Sequence, residues 1–529
     1  MPTLEINNLG GPLTRKRTGD IKSGLARFET SWGYDPYSKP GNLTWMEQPT
    51  SIASWNNPQD PLFTMKQRTE SNINYVYGIG GASDLYKVTV NSTTNPNVDT
   101  ASIIGDANFG SAIRGLGMAF HGSTEKIFMA GDDRIQKVNF DGSGASLIAQ
   151  SLTSGPRPMT PFLGKLYFGN GNNIGEIDST DAVTSVSKLS PALPPGLFIR
   201  DLDITPDGNY LQIVASRTNA QRVPGDDEDE ASAAAADSYK FYWNGIDSSY
   251  SAQQSYSGLV LTTTEITPER NYTFGYDSLG AAIFQDSKKL ISLPTSITPN
   301  FNSTFSIGNV LGFATAEWEE SASRFRVGIY EYIQDDNDVP TGLFRLLRQN
   351  ASVRDEVVAV TACLNVSNRF YQPSIWGFAN NLAGVGKLYY STRELNVGGS
   401  TENNSQKLWR FNTVPLGTQS IVAGTYETQT QIFSKKAKIG EVRLYTEPLI
   451  GGNDFVVDLI GSGGSVMAGG SQRFQVATGS VATGTDMVLF NPAMAPTYAL
   501  GVRITNSSTT GVANWTANKV EVDYMEGGK

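Results

Sequence analysis

The residue types best suited to catalysis are scarce in this sequence. It contains one histidine, His121, and one cysteine, Cys363, among 529 residues. A single histidine removes the commonest general base and nearly all zinc chemistry, and no Gly-x-Ser-x-Gly elbow or phosphate-binding loop is present. We therefore predict no catalytic, cofactor-binding or metal-binding residues. We interpret His121 as a turn residue and Cys363, in an apolar run, as a small buried hydrophobe.

Paired carboxylates are the one catalytic device that this composition leaves open. Glycoside hydrolysis needs only two of them, and the stretch 317–320 (Glu-Trp-Glu-Glu) sets acids beside a ring that can stack on a sugar. Acids beside a tryptophan are common without function, so we predict no catalysis there. The acidic run at 226–230 has no glycine or asparagine to bend the chain around a cation. We interpret it as a solvated loop that its like charges keep extended.

Aromatic residues are concentrated between prolines in the N-terminal segment, residues 1–65, which is unlike the rest of the chain. Such a segment cannot form a regular helix, and its rings must be buried against something. Two alternatives carry equal weight: an arm laid over the main domain of the same chain, or an arm that docks onto a neighbouring subunit. The second alternative gives the candidate subunit-interface residues Trp32, Tyr34, Tyr37 and Trp45.

The clearest structural pattern is a tight turn followed by a strand at 204–216. Proline presets a turn dihedral at Pro206, Asp207 bonds its own backbone, and Gly208 accepts a positive φ angle. Pairs of strands with a turn between them recur from about residue 70 to 415, at irregular spacings of roughly 40 to 60 residues. This pattern predicts a β-propeller of six or seven blades, with four strands to a blade. Neither a Trp-Asp signature nor a sialidase-type box is present.

Composition supports an all-β protein of more than one domain. Only 17% of residues are charged, and 54 are glycine, which suits short strands joined by tight turns. From about residue 420 the sequence alternates strictly, which predicts a small β-sandwich or jelly roll. The expected domains are an arm at 1–65, a propeller at 66–418 and a sandwich at 419–529. We expect limited proteolysis between 412 and 436 to release a folded C-terminal piece.

Net charge and hydropathy limit which partners and which cellular compartment the sequence is compatible with. The net charge of −10 and isoelectric point of about 4.9 argue against wrapping nucleic acid, which needs clustered Lys and Arg. The polar N-terminus predicts no secretory signal, and no apolar run is long enough to span a bilayer. We expect synthesis in a cytoplasm and no membrane insertion.

Two segments together resemble a known class of protein. The alternating strand 443–448 (Arg-Leu-Tyr-Thr-Glu-Pro), followed by 455–459 (Phe-Val-Val-Asp-Leu), resembles the C-terminal β-sandwich of tailed-phage virion proteins. The stretch 33–45 is similar to the entry to propeller proteins of such phages. The order of arm, propeller and sandwich resembles the nozzle (tubular) proteins that close the tails of short-tailed phages. No catalytic residue is carried over, because that family is structural.

The resemblance implies a function, a location and partners. We expect a structural, non-enzymatic tail protein of the virion, made in the host cytoplasm, that forms a nozzle or ring around part of the DNA exit channel. Its partners would be further copies of itself, neighbouring tail or adaptor proteins, and viral DNA that passes without specific binding. The alternative is a receptor-binding or carbohydrate-binding tail adhesin, and a polysaccharide-cleaving enzyme is a third hypothesis.

Removal of divalent cations should leave this protein's stability unchanged. The sequence has no set of Cys or His ligands, and its acidic run at 226–230 contains no residue that would bend the chain around an ion. Thermal melting with and without a chelator should give the same melting temperature. A large fall on adding the chelator would reveal a structural ion.

Overall fold

The computed structural model is built from β-strands, and no helix occurs in the residues it describes. No described helix is long and apolar enough to cross a membrane. The described residues are 1–7, 9–14, 27–28, 30–36, 39, 41–46, 48–51, 62–70, 73–80, 84–90, 100–106, 117–121, 126–131, 133–217, 237–277, 280–286, 288–293, 299, 301–307, 309–319, 324–334, 341–349, 355–363, 387–394, 407–412, 421–476, 481–508 and 515–527.

The described part of the N-terminal segment contains six short strands before residue 62. They are β1 (Thr3–Ile6), β2 (Leu13–Thr14), β3 (Arg27–Phe28), β4 (Tyr34–Asp35), β5 (Leu43–Trp45) and β6 (Thr50–Ser51). Strands β2 and β3 form a two-stranded parallel sheet, and the other four strands join larger sheets.

Six four-stranded antiparallel sheets of consecutive strands follow, and we number them blades 1 to 6. Blade 1 contains β7 (Leu62–Glu70), β8 (Ile73–Gly80), β9 (Asp84–Val90) and β10 (Thr100–Asp106). Blade 2 contains β11 (Gly117–His121), β12 (Lys126–Ala130), β13 (Ile135–Asn139) and β14 (Ser146–Ala149). Blade 3 contains β15 (Met159–Phe162), β16 (Lys165–Asn170), β17 (Asn173–Ile177) and β18 (Val183–Ser185).

Blades 4 to 6 repeat the same order. Blade 4 contains β19 (Phe198–Ile204), β20 (Leu211–Ser216), β21 (Asp237–Trp243) and β22 (Ala252–Ser257). Blade 5 contains β23 (Val260–Ile266), β24 (Asn271–Asp277), β25 (Gly280–Gln285) and β26 (Lys288–Ser292). Blade 6 contains β27 (Thr304–Ile307), β28 (Val310–Glu319), β29 (Arg324–Ile333) and β30 (Gly342–Gln349).

A further four-stranded sheet, which we call the closing sheet, is assembled from both ends of this region. Its strands are β31 (Asp355–Cys363), β32 (Lys387–Glu394), β33 (Lys407–Asn412) and β6 of the N-terminal segment. The first strands of neighbouring sheets contact each other all the way round, and β31 returns to β7 of blade 1. The backbone NH of Leu62 also donates to the Ser391 hydroxyl at 2.7 Å across this junction. The predicted all-β class and β-propeller are therefore confirmed.

The turn that begins β20 shows why this sequence forms hairpins. The Thr205 hydroxyl donates to Asp207 Oδ1 at 2.6 Å, and the NH of Gly208 donates to the Thr205 carbonyl at 2.8 Å. Gly208 has φ of +72°, which glycine adopts without a steric penalty. The turn and strand predicted at 204–216 are confirmed.

Each blade boundary holds its own apolar core, because alternate residues of a strand point to opposite faces. Val76 on one face of β8 packs towards the closing sheet, whereas Tyr77 on the other face packs towards blade 2. Blades 2 to 6 are joined in the same way by separate clusters. Between blade 6 and the closing sheet, the cluster instead continues into the C-terminal part of the chain.

The C-terminal strands form a ten-stranded sheet with help from the N-terminus. Its members are β1, β4, β5, β34 (Thr425–Glu427), β35 (Gln431–Thr446), β36 (Asp454–Ile460), β37 (Val466–Gln475), β38 (Met487–Phe490), β39 (Thr497–Asn506) and β40 (Thr516–Glu526). Strands β1 and β5 both pair with β40, and β4 pairs with β5. Of the two alternatives for the N-terminal segment, the structure shows the arm laid over its own chain.

A buried carboxylate helps to hold the N-terminal segment against the C-terminal sheet. Glu427 is fully buried and accepts hydrogen bonds from Arg503 at 2.8 and 3.0 Å and from the Thr30 hydroxyl at 3.1 Å. Its backbone NH donates to the Ser31 hydroxyl at 2.9 Å. A buried charge is tolerated when it is paired and hydrogen-bonded in this way, so the N-terminal segment is held by polar as well as apolar contacts.

Cutting the chain within 413–420 should not release a free C-terminal piece, in contrast to the expectation from sequence alone. Three strands of the ten-stranded sheet lie before the cut, so the two fragments should stay associated. A specific protease site inserted there, followed by size-exclusion chromatography, would test this. Co-elution of both fragments after complete cleavage is expected, with separation only in denaturant; a freely eluting, folded C-terminal fragment would contradict the shared sheet.

Candidate functional site in the central channel

A cavity of about 280 Å³ lies at the centre of the propeller. Its walls are the first strands of blades 1 to 6, which surround the axis of the ring. The lining is mostly polar and includes Lys66, Asp201, Asp203, Glu265 and Asn302. Since ligand sites are concave and carry convergent polar groups, and perturbed pKa values cluster at functional sites, this cavity is the first place to look for function.

Asp201 links blade 4 to blade 5. One carboxylate oxygen accepts the backbone NH of Thr264 at 2.8 Å and the Thr263 hydroxyl, and the other accepts the NH of Leu202 at 2.8 Å. Asp201 is 7% exposed. Burial raises its pKa to about 7, while the bonds from Thr263 and Thr264 act in the opposite direction.

Asp203 and Glu265 also line the cavity. Asp203 accepts the backbone NH of Ile266 in blade 5 at 3.1 Å. The Ser306 hydroxyl of blade 6 donates to the Ile266 carbonyl at 3.1 Å, and the hydroxyls of Ser306 and Thr304 lower the pKa of Glu265. Burial raises the pKa of Asp203 well above its usual range, and the charge of Glu265 raises it further. Burial also raises the pKa of Glu265, whereas the Lys66 ammonium lowers it.

These partners determine what the carboxylates can do chemically. Asp201 and Asp203 are each hydrogen-bonded to blade 5, so their first role is to fasten blade 4 to blade 5 beside the axis. In the described part of the chain, no group of three His, Cys, Asp or Glu residues is placed to hold a metal ion. The carboxylates of Asp201 and Asp203 therefore form part of a hydrogen-bonded lining between blades 4 and 5.

The remaining residues singled out by sequence lie elsewhere. His121 ends strand β11 rather than lying in a turn, with Nε2 3.3 Å from the Asp178 carbonyl and its ring 6.0 Å from Phe128. Glu317 and Glu319 lie in β28, and Cys363 ends β31, but their side chains are outside the described set. Glu320 and the acidic run at 226–230 also fall outside it.

The four aromatic residues predicted to form a subunit interface are Trp32, Tyr34, Tyr37 and Trp45. Tyr37 lies outside the described residues. Trp32 is 9% exposed, and Tyr34 and Trp45 are fully buried within this chain. The ring of Trp45 packs against Trp515 at 5.7 Å, and Tyr34 meets Phe344 edge-on at 6.3 Å. Their role here is intramolecular; a subunit contact through these rings stays a prediction that their burial does not support.

Sequence reasoning missed the channel carboxylates. The signal that could have identified them is the pair of acids at 201 and 203 in strand β19, which are two residues apart and therefore share one face in a period-two pattern. A charged residue in a buried strand requires a partner, but its identity depends on which strand lies alongside.

Comparison with known proteins gives little further information. No family model and no curated protein matches the chain. One chain of a nidogen/laminin complex is 13% identical with a TM-score of 0.29, covering 51% of this chain and 97% of its own. One chain of a mitotic checkpoint complex is 10% identical with a TM-score of 0.39, covering 70% and 96% respectively. Similarities this weak carry no argument about function, and neither structure is of a phage tail protein.

The raised pKa values predict that the channel loses stability as the pH rises. A carboxyl group whose pKa is higher in the folded state stabilises the fold fully below its unfolded pKa of about 4, and this contribution is lost as the pH rises through the folded value. For Asp201 that window extends to about pH 7. Replacing Glu265 with Gln removes one charge, so E265Q should be more stable than wild type at pH 8 and nearly equal to it at pH 4.5.

Urea unfolding at both pH values would measure this difference. The matched control is E269Q, which removes an exposed carboxylate from the turn four residues further on. Its free energy of unfolding should follow that of wild type at both pH values. If the stability of E265Q relative to wild type did not change with pH, this would contradict the raised pKa of Glu265.

Proposed function

We propose that this protein is a structural, non-enzymatic subunit of a bacteriophage tail. In this role it forms a nozzle or ring around part of the DNA exit channel. The observation that best supports the proposal is the single apolar core that joins blade 6, the closing sheet and the C-terminal sheet. A subunit that must transmit and withstand load benefits from having its parts packed together rather than tethered by a linker.

We further propose that the ten-stranded sheet folds into the two layers of a β-sandwich. Strand β35 pairs with β39 through residues 431–437 and with β40 through residues 437–446, with irregular register near the change of partner. A strand that changes partners along its length can take part in two layers, with a bend between them. Side chains from both partners, including Leu500 and Val520, belong to one apolar cluster.

The expected partners follow from symmetry and charge. Further copies of the chain would close the ring through heterologous contacts, and neighbouring tail or adaptor proteins would flank it. The net charge of −10 would let viral DNA pass without binding, since binding requires Lys and Arg to replace counterions. The protein would be made in the host cytoplasm and reside in the virion tail.

Immunogold labelling of purified particles would test the location. Antibody against the full chain should mark one end of the tail, and image averaging should show a closed ring of identical subunits there. Particles that carry no label, or label confined to a single copy at the tip of a fibre, would contradict the proposal.

The free protein should also bind DNA weakly or not at all. Fluorescence anisotropy with a labelled duplex at physiological salt should show no saturable binding by the purified chain, because the overall charge repels the phosphate backbone. A basic DNA-binding protein measured in parallel controls for the probe. Tight, saturable binding of the duplex would rule out a channel through which DNA slides.

A further inference from the structure

A second cavity, of about 560 Å³, lies between the turns of blades 4 and 5. We call it the turn cleft. One wall is the turn between β19 and β20, and the other is the turn between β23 and β24. Volumes of several hundred Å³ are typical of sites for small organic ligands. The turn cleft is larger than the central cavity and shares none of its lining residues.

The two walls are built from nearly the same sequence. Residues 204–210 read Ile-Thr-Pro-Asp-Gly-Asn-Tyr, and residues 266–272 read Ile-Thr-Pro-Glu-Arg-Asn-Tyr. In the first, the NH of Thr205 donates to the Tyr210 carbonyl at 2.9 Å. In the second, the NH of Thr267 donates to the Arg270 carbonyl at 2.9 Å, and the NH of Arg270 donates to the Thr267 hydroxyl at 3.1 Å. Both walls are therefore fixed by local hydrogen bonds.

Two tyrosine rings line the turn cleft. Tyr210 is 36% exposed, and Tyr242 is half-buried. Tyr242 pairs with Gln212 in the neighbouring strand, and Gln212 reaches across to Asn271 of blade 5 at 3.1 Å, so this face of blade 4 is directed at the cleft. Within the described residues, neither tyrosine hydroxyl makes a hydrogen bond. Two rings with available hydroxyls offer both apolar area and polar contacts.

The charged residues of the turn cleft are mostly acidic. Glu269 is exposed and has no side-chain partner among the described residues. The Asp207 carboxylate is occupied by its own turn, where it accepts from Thr205 and Asn209. Arg270 is anchored by a hydrogen bond to the Gln334 carbonyl at 3.4 Å. The excess of acidic over basic side chains disfavours an anionic ligand. The Glu269 carboxylate can accept hydrogen bonds from neutral hydroxyls.

We infer that the turn cleft is a binding site for a neutral oligosaccharide. A pyranose ring presents apolar C–H faces, which suit the rings of Tyr210 and Tyr242, and a rim of hydroxyls that donate to carboxylates such as Glu269 and accept from tyrosine hydroxyls. The cavity volume of about 560 Å³ lies within the usual range for sites of small organic ligands. The inference does not depend on assembly into a ring, because all of these groups belong to one chain.

An array of immobilised neutral and acidic oligosaccharides, probed with the labelled full-length chain, would identify a ligand. Titration calorimetry with the neutral sugar that binds best would then compare variants. We expect Y210A and Y242A each to weaken binding by about tenfold or more, and E269Q to weaken it by a smaller factor. Y210F, which keeps the ring, should bind better than Y210A.

The matched control is Y498A, which removes a tyrosine that is 55% exposed on the C-terminal sheet; its affinity should equal that of wild type. Circular dichroism would verify that each variant is folded. Binding that survives both Y210A and Y242A, binding to acidic sugars or peptides only, or no binding to any neutral sugar would each overturn the inference. Because these measurements use the free chain, they are independent of where the protein lies in a particle.

Discussion

The fold depends on the pairing of the first strands of the chain with strands that come much later. Strand β6 completes the closing sheet of the propeller, while β1, β4 and β5 complete the C-terminal sheet. Without β6, strand β33 would be left with an open edge, and open edges are prone to pair with other chains. The same short segment thus finishes two sheets and lies between them, which ties the two parts of the molecule together.

Packing around this segment explains the position of its aromatic residues. Trp515, which contacts Trp45, also packs on Phe455 at 4.5 Å, and its indole NH donates to the Asn506 side chain at 3.2 Å. Asn506 in turn donates to the Val422 carbonyl at 2.7 Å. Large rings bury much apolar area and need a partner for their polar atoms. Apolar burial and a short polar chain therefore fix the same junction.

Local features of the fold could be predicted from sequence, whereas features that join distant residues could not. The turn at Pro206 and the strand after it follow from dihedral preferences and period-two alternation, which act over a few residues. The pairing of β6 with β33 brings together Thr50 and Arg410, and no local pattern marks either as a partner of the other. The same holds for the channel, where Asp203 meets Ile266 only because blades 4 and 5 are adjacent. Aromatic rings in the N-terminal segment signalled burial correctly, but not which surface would bury them.

The pairing of β1 with β40 also sets a limit on when the molecule can finish folding. The hydroxyl of Thr3 bonds to Asp523, 520 residues further along the chain. At a synthesis rate of about 5–20 residues per second, roughly half a minute to two minutes separate the emergence of these two residues from the ribosome. Throughout that interval the rings of Trp32, Tyr34 and Trp45 lack the C-terminal strands that bury them. The nascent chain therefore exposes these aromatic rings, and with them an aggregation-prone apolar surface, until strand β40 is released.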